Sequence, residues 1–575
     1  MKLPTALSIS LSALALASCA LAPVAPSVAP QAPTRTLAPV PQLQKPFDIK
    51  LIAFNDFHGN LRTPSLRVPI ADASKPTGLR FEPAGGVEQF AAVIAGLKAK
   101  NPLNAVLTGG DMVGATPLLS SLFKDEPTIE AMNIIGIDFH SVGNHEFDYG
   151  IAHLKRLQAG GCAKDAKTQK PDCGGRPDYA GAKFGILAAN VTETATGKTL
   201  FPAYGIKTFN GVKVAFLGMT LRGTPGIVRA GATDGFTFQD EVATVNKLLP
   251  ELKAQGVNAF VVVMHEGGEQ TGGINECVDF KGRGREIAEK FPPEISVVVE
   301  GHTHRYYICN VGDKLVTSAG SYGTLVTEID LTLDPATGTI TNKRAQNHIV
   351  KPDGEKDPRL TAHVEAYSKL ATPLENRIVG KIVRELTPVA NAAGESTLGN
   401  VIADAQLAAT AQPDNGGAVI AFMNPGGLRA PIIAEADGSV TYGTIFRTQP
   451  FSNELITMTV TGKQLKAILE QQFAGERARP MSVSRGFSYT YDSARAKGDR
   501  VIAESMKVNG MVVESALQYR VTANGFLASG GDGQTLFSGG TERVTGMMDV
   551  EALDAYLAAN SPLAPPAVGR ITRKN

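Results

Sequence analysis

Short apolar runs recur along the chain, and most of them end at an Asp, Asn or His. Ile49–Phe54 is mostly apolar, and Asn55-Asp56-Phe57-His58-Gly59 follows it directly. Ala105–Leu107, Ala259–Val263 and Ile295–Val299 are further β-rich runs. After them come Gly109-Gly110-Asp111, Met264-His265 and Gly301-His302-Thr303-His304. A fifth stretch of the same kind is Gly143-Asn144-His145-Glu146-Phe147-Asp148. Apolar runs of this length, bounded by turn residues, suit fully buried strands. Phe184–Val191, Val212–Gly218, Val316–Ala319 and Thr324–Leu333 suit further strands, while Val87, Phe90, Ala91, Ile94 and Leu97 keep helical spacing up to the stop at Asn101-Pro102. Strand and helix alternate, which predicts an α/β fold. In open α/β sheets ligands collect at the carboxyl ends of strands, so one site built from all five stretches is expected.

The pattern changes after about residue 350. Lys351–Lys356 is polar with Gly and Pro, and a helical stretch over 357–374 follows. Beyond it, Ser396 or Thr397 can cap a helix. Ala418–Phe422 reads as a strand leading into Asn424-Pro425-Gly426-Gly427-Leu428-Arg429; Leu455–Val460 reads as a strand and Gly462–Phe473 as a helix. At 575 residues the chain exceeds one domain, and roughly two to four are expected. The division expected is a first domain over 47–350, a linker with a helix over 351–376, and a second, smaller α/β domain over 377–575.

The side chains at the strand ends decide the chemistry. Asp56 and Asp111 offer carboxylates, Asn144 an amide oxygen, and His58, His265, His302 and His304 imidazoles. A mixed N/O set without thiolates suits Zn, Mn, Fe, Co or Ni. Seven groups are too many for one tetrahedral ion and suit two ions with open positions for water and substrate. Two such ions can hold a phosphoryl group between them. Of nine His, five lie in these motifs; His140, His153, His348 and His363 match nothing and are expected to be structural.

These stretches resemble the calcineurin-like metallophosphoesterase signature. Glu146-Phe147-Asp148-Tyr149-Gly150 narrows the resemblance to the 5′-nucleotidase branch and its UDP-sugar hydrolase relatives. The resemblance implies an N-terminal two-sheet α/β sandwich and a C-terminal substrate-binding domain that can rotate about the linking helix. It implies two divalent metal ions, Zn, Mn or similar. Asp56, His58, Asp111 and His304 would hold one, and Asp111, Asn144, His265 and His302 the other, with Asp111 bridging. His145 with Asp148 would stabilise the transition state or assist the leaving group. Phe451 and Phe526 match the family's base clamp; Asp532 would accept from ribose hydroxyls, Asn424 bond the base, and Arg429 neutralise phosphate or carboxylate. One position departs: the family usually has Arg where this chain has Ala392. Plain nucleoside monophosphate specificity is therefore open, with a cyclic nucleotide, dinucleotide, UDP-sugar or sulfur ester as alternatives. A non-catalytic nucleotide-binding surface lipoprotein is the reading from outside enzymes.

The remaining features bound the setting. Hydrophobic residues are 43%, enough for a large core, and a net charge of +1 without a long basic run argues against binding a nucleic-acid polymer. Lys2 precedes an apolar stretch too short for a comfortable membrane span. Leu16-Ala17-Ser18-Cys19 resembles a bacterial lipobox, which implies a signal peptide over 1–19, lipidation of Cys19 and a periplasmic or outer-membrane-anchored lipoprotein, the anchor being its only contact with membrane. The alternative is an ordinary cleaved signal. Residues 20–46 are rich in Pro and Ala and read as a disordered tether. Cys162, Cys173, Cys277 and Cys309 remain; an even number in an exported chain suggests disulfides, with Cys162–Cys173 as a plausible local pair. A zinc site or free thiols are the alternatives. Oligomeric state is not read from the sequence.

Overall fold

The computed structural model describes residues 45–575 apart from 65, 165–170, 173–177, 230 and 476–477. Cys19, Cys173 and almost all of the expected tether lie outside the described residues.

Two six-stranded sheets fill the first half. In spatial order the first holds Thr339–Ile349, Leu325–Asp334, Phe47–Phe54, Asn104–Thr108, Phe139–Ser141 and Gly185–Leu187. The second holds Tyr204–Phe209, Val212–Met219, Ala259–Met264, Ile295–Glu300, Lys314–Ala319 and Tyr306–Val311. Pairing is parallel from Phe47–Phe54 through Gly185–Leu187, and from Val212–Met219 through Lys314–Ala319.

Strand periodicity explains why these runs read as continuously apolar. Ile49, Leu51 and Ala53 point to one face and pack with Val261, Val263, Val297 and Val299 of the other sheet. Ile52 and Phe54 point to the opposite face, against Val87, Phe90 and Ile94 of helix Val87–Lys100 and Ile129 and Met132 of helix Glu126–Ile135. Phe260, Val262 and Val298 likewise meet Val245, Leu249 and Leu252 of helix Glu241–Ala254. Every central strand is buried on both faces, so no polar alternation survives. The result is a two-sheet sandwich with helices outside, as expected.

The expected strand Phe184–Val191 is two pieces. Gly185–Leu187 joins the first sheet, and Val191–Glu193 pairs separately with Phe236–Phe238. Between them Asn190 donates to Thr220 O (2.7 Å) and accepts from Thr220 N (2.8 Å). A buried side-chain amide bonding this way takes the place of a continued ladder.

Helix Pro358–Glu375 follows. Asp357 caps it, accepting from Arg359 N, and its Leu360, Tyr367 and Ala371 enter the first-half core. Its Tyr367 hydroxyl donates to Glu130 (2.9 Å), and its Glu375 pairs with Arg62. The second half has a five-stranded mixed sheet ordered Ser482–Val483, Ile420–Met423, Gln518–Asn524, Glu454–Thr461 and Thr541–Met548. Helix Thr397–Thr410 packs on it, capped by Ser396 accepting from Gly399 N at 3.1 Å. Helix Gly462–Gln471 starts with a capping box of Thr461 and Gln464. Cys277 and Cys309 are joined by a disulfide, and Cys162 is also disulfide-bonded. Among the described residues no helix is long and apolar enough to cross a membrane.

Candidate metal centre

The strand ends bring the predicted side chains together. Asp56 and His58 follow strand Phe47–Phe54, Asp111 follows Asn104–Thr108, and Asn144 follows Phe139–Ser141, all from the first sheet. His265 follows Ala259–Met264, and His302 and His304 follow Ile295–Glu300, from the second. Asp56, His58 and His304 have ligand atoms within 4.8 Å of one another, and so do Asp111, His265 and His302. Asp111 faces both groups: its Oδ2 lies 3.0 Å from His265 Nε2 and 3.7 Å from His58 Nε2. Asn144 Oδ1 lies 3.1 Å from His265 Nε2 and 3.0 Å from His302 Nδ1.

Hydrogen bonding behind the cluster fixes which ring atoms face inward. His58 Nδ1 is 2.8 Å from Gly114 O, and His265 Nδ1 is 2.8 Å from Gly109 O. A carbonyl oxygen only accepts, so each Nδ1 carries a proton and donates. The lone pair of each Nε2 then points into the cluster when the ring is neutral. His58 Nε2 meets His304 Nε2 at 3.1 Å, and His265 Nε2 meets two oxygen acceptors. Acceptors pressed this closely need a shared proton or a cation between them. The donor set fits a pair of borderline-soft divalent ions.

Burial and charge pull in opposite directions here. Asp56, His58 and His265 are fully buried, and Asp111 and Asn144 nearly so. Burial would raise the Asp111 carboxyl, but His265 and His145 hold it well below the usual carboxylate range. His265, against its burial, is pushed up to about 10 by Asp111. Desolvation and the neighbouring His265 push the half-buried His302 down to about 3, and burial holds His58 well below its ordinary value. The backbone is strained at the same places: Asp56, His58, Asp111, His302 and His304 all have φ between 46° and 68°. Five non-glycine residues in the left-handed region persist only where surrounding structure over-determines them.

Two side chains that the sequence reading left without a role hold this strain. Glu146 Oε2 accepts from Gly143 N (2.6 Å) and Asp111 N (3.1 Å), and its Oε1 from Met112 N (2.7 Å) and Val113 N (3.3 Å). One carboxylate thus ties the Asp111 turn to the Asn144 turn. Gly143 permits the approach, since a Cβ there would sit 2.2 Å from Asp111 Oδ1. Asn55 donates to Asp56 Oδ2 (2.7 Å) and to Gly320 O, and accepts from Ala319 N. The signal for both lay inside the motifs, as the polar residues beside the ligands.

His145 and Asp148 stand at the edge. His145 Nδ1 is 2.8 Å from Asp148 Oδ2, which also accepts from Ala115 N at 3.1 Å. Burial lowers the His145 imidazole, but Asp148 and Asp111 raise it above its ordinary value. His145 N donates to Asp111 Oδ1 at 2.8 Å, linking the pair to the cluster.

A cavity of about 1060 Å³ opens beside this pair. Its walls include Asn144, His145, Asp148 and His302 from the first half and Asn424, Arg429, Phe451, Phe526 and Asp532 from the second. The Phe451 ring stacks on His145 at 5.7 Å and 16°, with the Arg429 guanidinium 5.8 Å from its centre. The Phe526 ring lies on Gly531. Both expected clamp rings thus line this cavity and lie against protein groups. Asn424 donates to Asp532 Oδ2 (2.8 Å) and accepts from Asn524 (3.0 Å). Ala392 is exposed, and its loop packs on Pro480 through Gly394. The neighbouring Arg479, which the sequence reading did not single out, lines the cavity. His348 pairs instead with Glu328, and His363 with Pro127 O.

Comparison with known proteins follows this division. Residues 49–306 match the calcineurin-like phosphoesterase family, and residues 375–539 match the 5′-nucleotidase C-terminal domain. Endonuclease YhcR of Bacillus subtilis is 32% identical over 535 residues, 92% of this chain and 41% of that protein. The chain thus spans less than half of that relative's length. A 5′-nucleotidase of Bos taurus is 24% identical over 566 residues, covering 92% of this chain and 91% of the other. The solved 5′-nucleotidase precursor from Thermus thermophilus superposes with a TM-score of 0.73 at 26% identity, over 92% of this chain and all of the other.

Proposed function

Because the chain belongs to the calcineurin-like phosphoesterases that carry a 5′-nucleotidase C-terminal domain, and is a metal-dependent phosphoester hydrolase, we propose that it hydrolyses nucleotides. One observation carries the substrate reading. A single cavity is walled by the His145–Asp148 pair and cluster ligands on one side and by Phe451, Phe526, Asn424, Arg429 and Asp532 on the other.

In this reading Asp56, His58, Asp111 and His304 hold one divalent ion and Asp111, Asn144, His265 and His302 the other. Such ions supply Lewis acidity to a phosphoryl oxygen and a water of lowered pKa. The chain's own groups do the rest. Asp148 accepts the hydrogen bond of His145 Nδ1, which leaves Nε2 for the substrate. The raised pKa of His145 keeps positive charge where the phosphoryl oxygens gain negative charge. Phe451 and Phe526, both in the cavity wall, offer aromatic surface to a flat base. Asp532, whose Oδ2 is engaged by Asn424, keeps Oδ1 for a ribose hydroxyl. Arg429 supplies a planar guanidinium for the phosphate.

The test is phosphate release from nucleoside monophosphates, cyclic nucleotides and UDP-sugars with added Mn, Zn, Co or Mg. Release that depends on metal and on Asp111 supports the reading. Sulfate release from thiosulfonate esters with inert nucleotides would move the chain to sulfur-ester chemistry. Lipid anchoring at Cys19, and with it a cell-envelope location, belongs to the same proposal; labelled fatty acid incorporated by the natural chain and not by Cys19→Ser supports it.

A further inference from the structure

Glu146 ties together the turns of the first sheet, and the second sheet has a tie of its own. Glu300 ends strand Ile295–Glu300, two residues before His302, and Tyr307 lies in the edge strand Tyr306–Val311. Both are fully buried. Gly268, three residues beyond His265, donates its N–H to Tyr307 Oη at 3.0 Å. A backbone N–H only donates, so the phenol oxygen accepts there and its own hydrogen goes to Glu300 Oε2, 2.5 Å away. From the other side Thr303 Oγ1 donates to Gly268 O at 2.8 Å. Thr303 stands between His302 and His304. One relay of Glu300, Tyr307, Gly268 and Thr303 therefore joins the turn after His265 to the turn that carries His302.

Two features set this relay apart from ordinary packing. Glu300 Oε1 has no hydrogen-bond partner among the described residues. Burying an acceptor without a donor costs stability, so a core built for packing alone would hold an apolar side chain here. Glycines also clear the space around the relay. A Cβ on Gly284 would lie 2.6 Å from Glu300 Oε2, and one on Gly267 would lie 2.4 Å from Gly301 O and 2.7 Å from Thr303 Oγ1. The two histidine turns are thus too close for a side chain to stand between them. Behind them the Tyr307 ring is held against Phe280, with centroids 4.6 Å apart.

We propose that Glu300 and Tyr307 are positioning residues that fix the separation of His265 and His302, and through it the affinity of the ion held by Asp111, Asn144, His265 and His302. Asp56 and His58 of the other ion sit on first-sheet turns held by Asn55 and by Gly114 O, so that ion meets the relay only through His304. This rests on the two-ion ligand assignment given above.

The test is Mn binding to the metal-stripped chain, followed by calorimetry and by the Mn paramagnetic resonance signal, alongside phosphate release from adenosine monophosphate. The natural chain is expected to bind two Mn with a spin-coupled signal. Tyr307→Phe keeps the ring and removes the hydroxyl. One Mn should then bind about tenfold more weakly and the other within about threefold, and the coupled signal should need more Mn to form. Phosphate release should need correspondingly more Mn, while kcat at saturating Mn and the KM for adenosine monophosphate both stay within about threefold. Glu300→Gln keeps an acceptor for the phenol and should hold both affinities within about threefold of the natural chain, whereas Glu300→Leu should behave as Tyr307→Phe does. Thr303→Val breaks only the last link, on a half-buried turn outside the core, and should weaken the same ion about threefold or more. A lower urea midpoint with both Mn affinities unchanged, or equal weakening of both ions, overturns the positioning role alone. Fewer than two Mn bound by the natural chain overturns the ligand assignment beneath it.

Discussion

Glu146→Gln is a change of one atom, and on an exposed surface it would be silent. Here both carboxylate oxygens accept two backbone N–H groups each. An amide turns one oxygen into a donor, so two N–H groups lose their acceptor and face an N–H instead. Bonds to a charged acceptor contribute about 1.5–3 kcal/mol each. The site is 2% exposed, so water does not readily replace them. Allowing for relaxation and for the weak Val113 bond, the loss is about 3 kcal/mol, and larger for Glu146→Ala. The same change frees the Asp111 turn from the Asn144 turn, so metal content and turnover should fall together with stability. Urea unfolding followed by circular dichroism gives the first, and metal analysis with a phosphate-release assay gives the second. A Glu146→Gln protein with its midpoint stability within about 0.5 kcal/mol of the natural chain, and unchanged metal content, would refute the reasoning.

Four further outcomes are expected. Asp111→Ala or His265→Ala should abolish hydrolysis and reduce bound metal while far-UV circular dichroism stays unchanged; full activity in either would contradict the cluster assignment. Phe451→Ala should raise the nucleotide KM about tenfold, the loss of one stacking surface, and Gly531→Ala should act in the same direction because its Cβ would lie 2.4 Å from the Phe526 ring. Cys277→Ser should cost about 4 kcal/mol by loop entropy across its 32-residue separation, seen as a lower urea midpoint. Burial pushes the Asp549 carboxyl up to about 7, so it keeps a proton that the unfolded chain gives up near its ordinary value. Stability from this group therefore falls as pH rises from about 4 to about 7 and is level above. Asp549→Asn should flatten that decline, and an unchanged pH profile of unfolding would count against it.

The metal cluster was legible because its ligands are polar residues at the ends of apolar strands. Strand alternation with both faces buried leaves a continuous apolar run, and the first polar residue after it must sit at the sheet's edge. Asp56, Asp111 and His265 were therefore placed by local pattern alone. Their grouping was not: Asp111 faces both His58 and His265 because two sheets pack face to face with their carboxyl ends on one side, and no local signal carries that packing. The strand read over Phe184–Val191 failed for the same reason, since Asn190 binds Thr220, a residue far along the chain.

The second half shows the limit more sharply. Phe451, Asn424 and Asp532 could be picked out by their motifs, yet the stack of Phe451 on His145 and the bond between Asn424 and Asp532 exist only once distant loops meet. Arg479 carried no motif and became visible only in the cavity wall. By itself the chain determined its elements, its two family segments and the donor atoms at its strand ends, since burial and hydrogen bonding act on neighbours in sequence. Tertiary structure alone decided which donor atoms are grouped, which rings line the cavity beside them, and how large that cavity is, because those depend on separations between parts that the covalent chain leaves free.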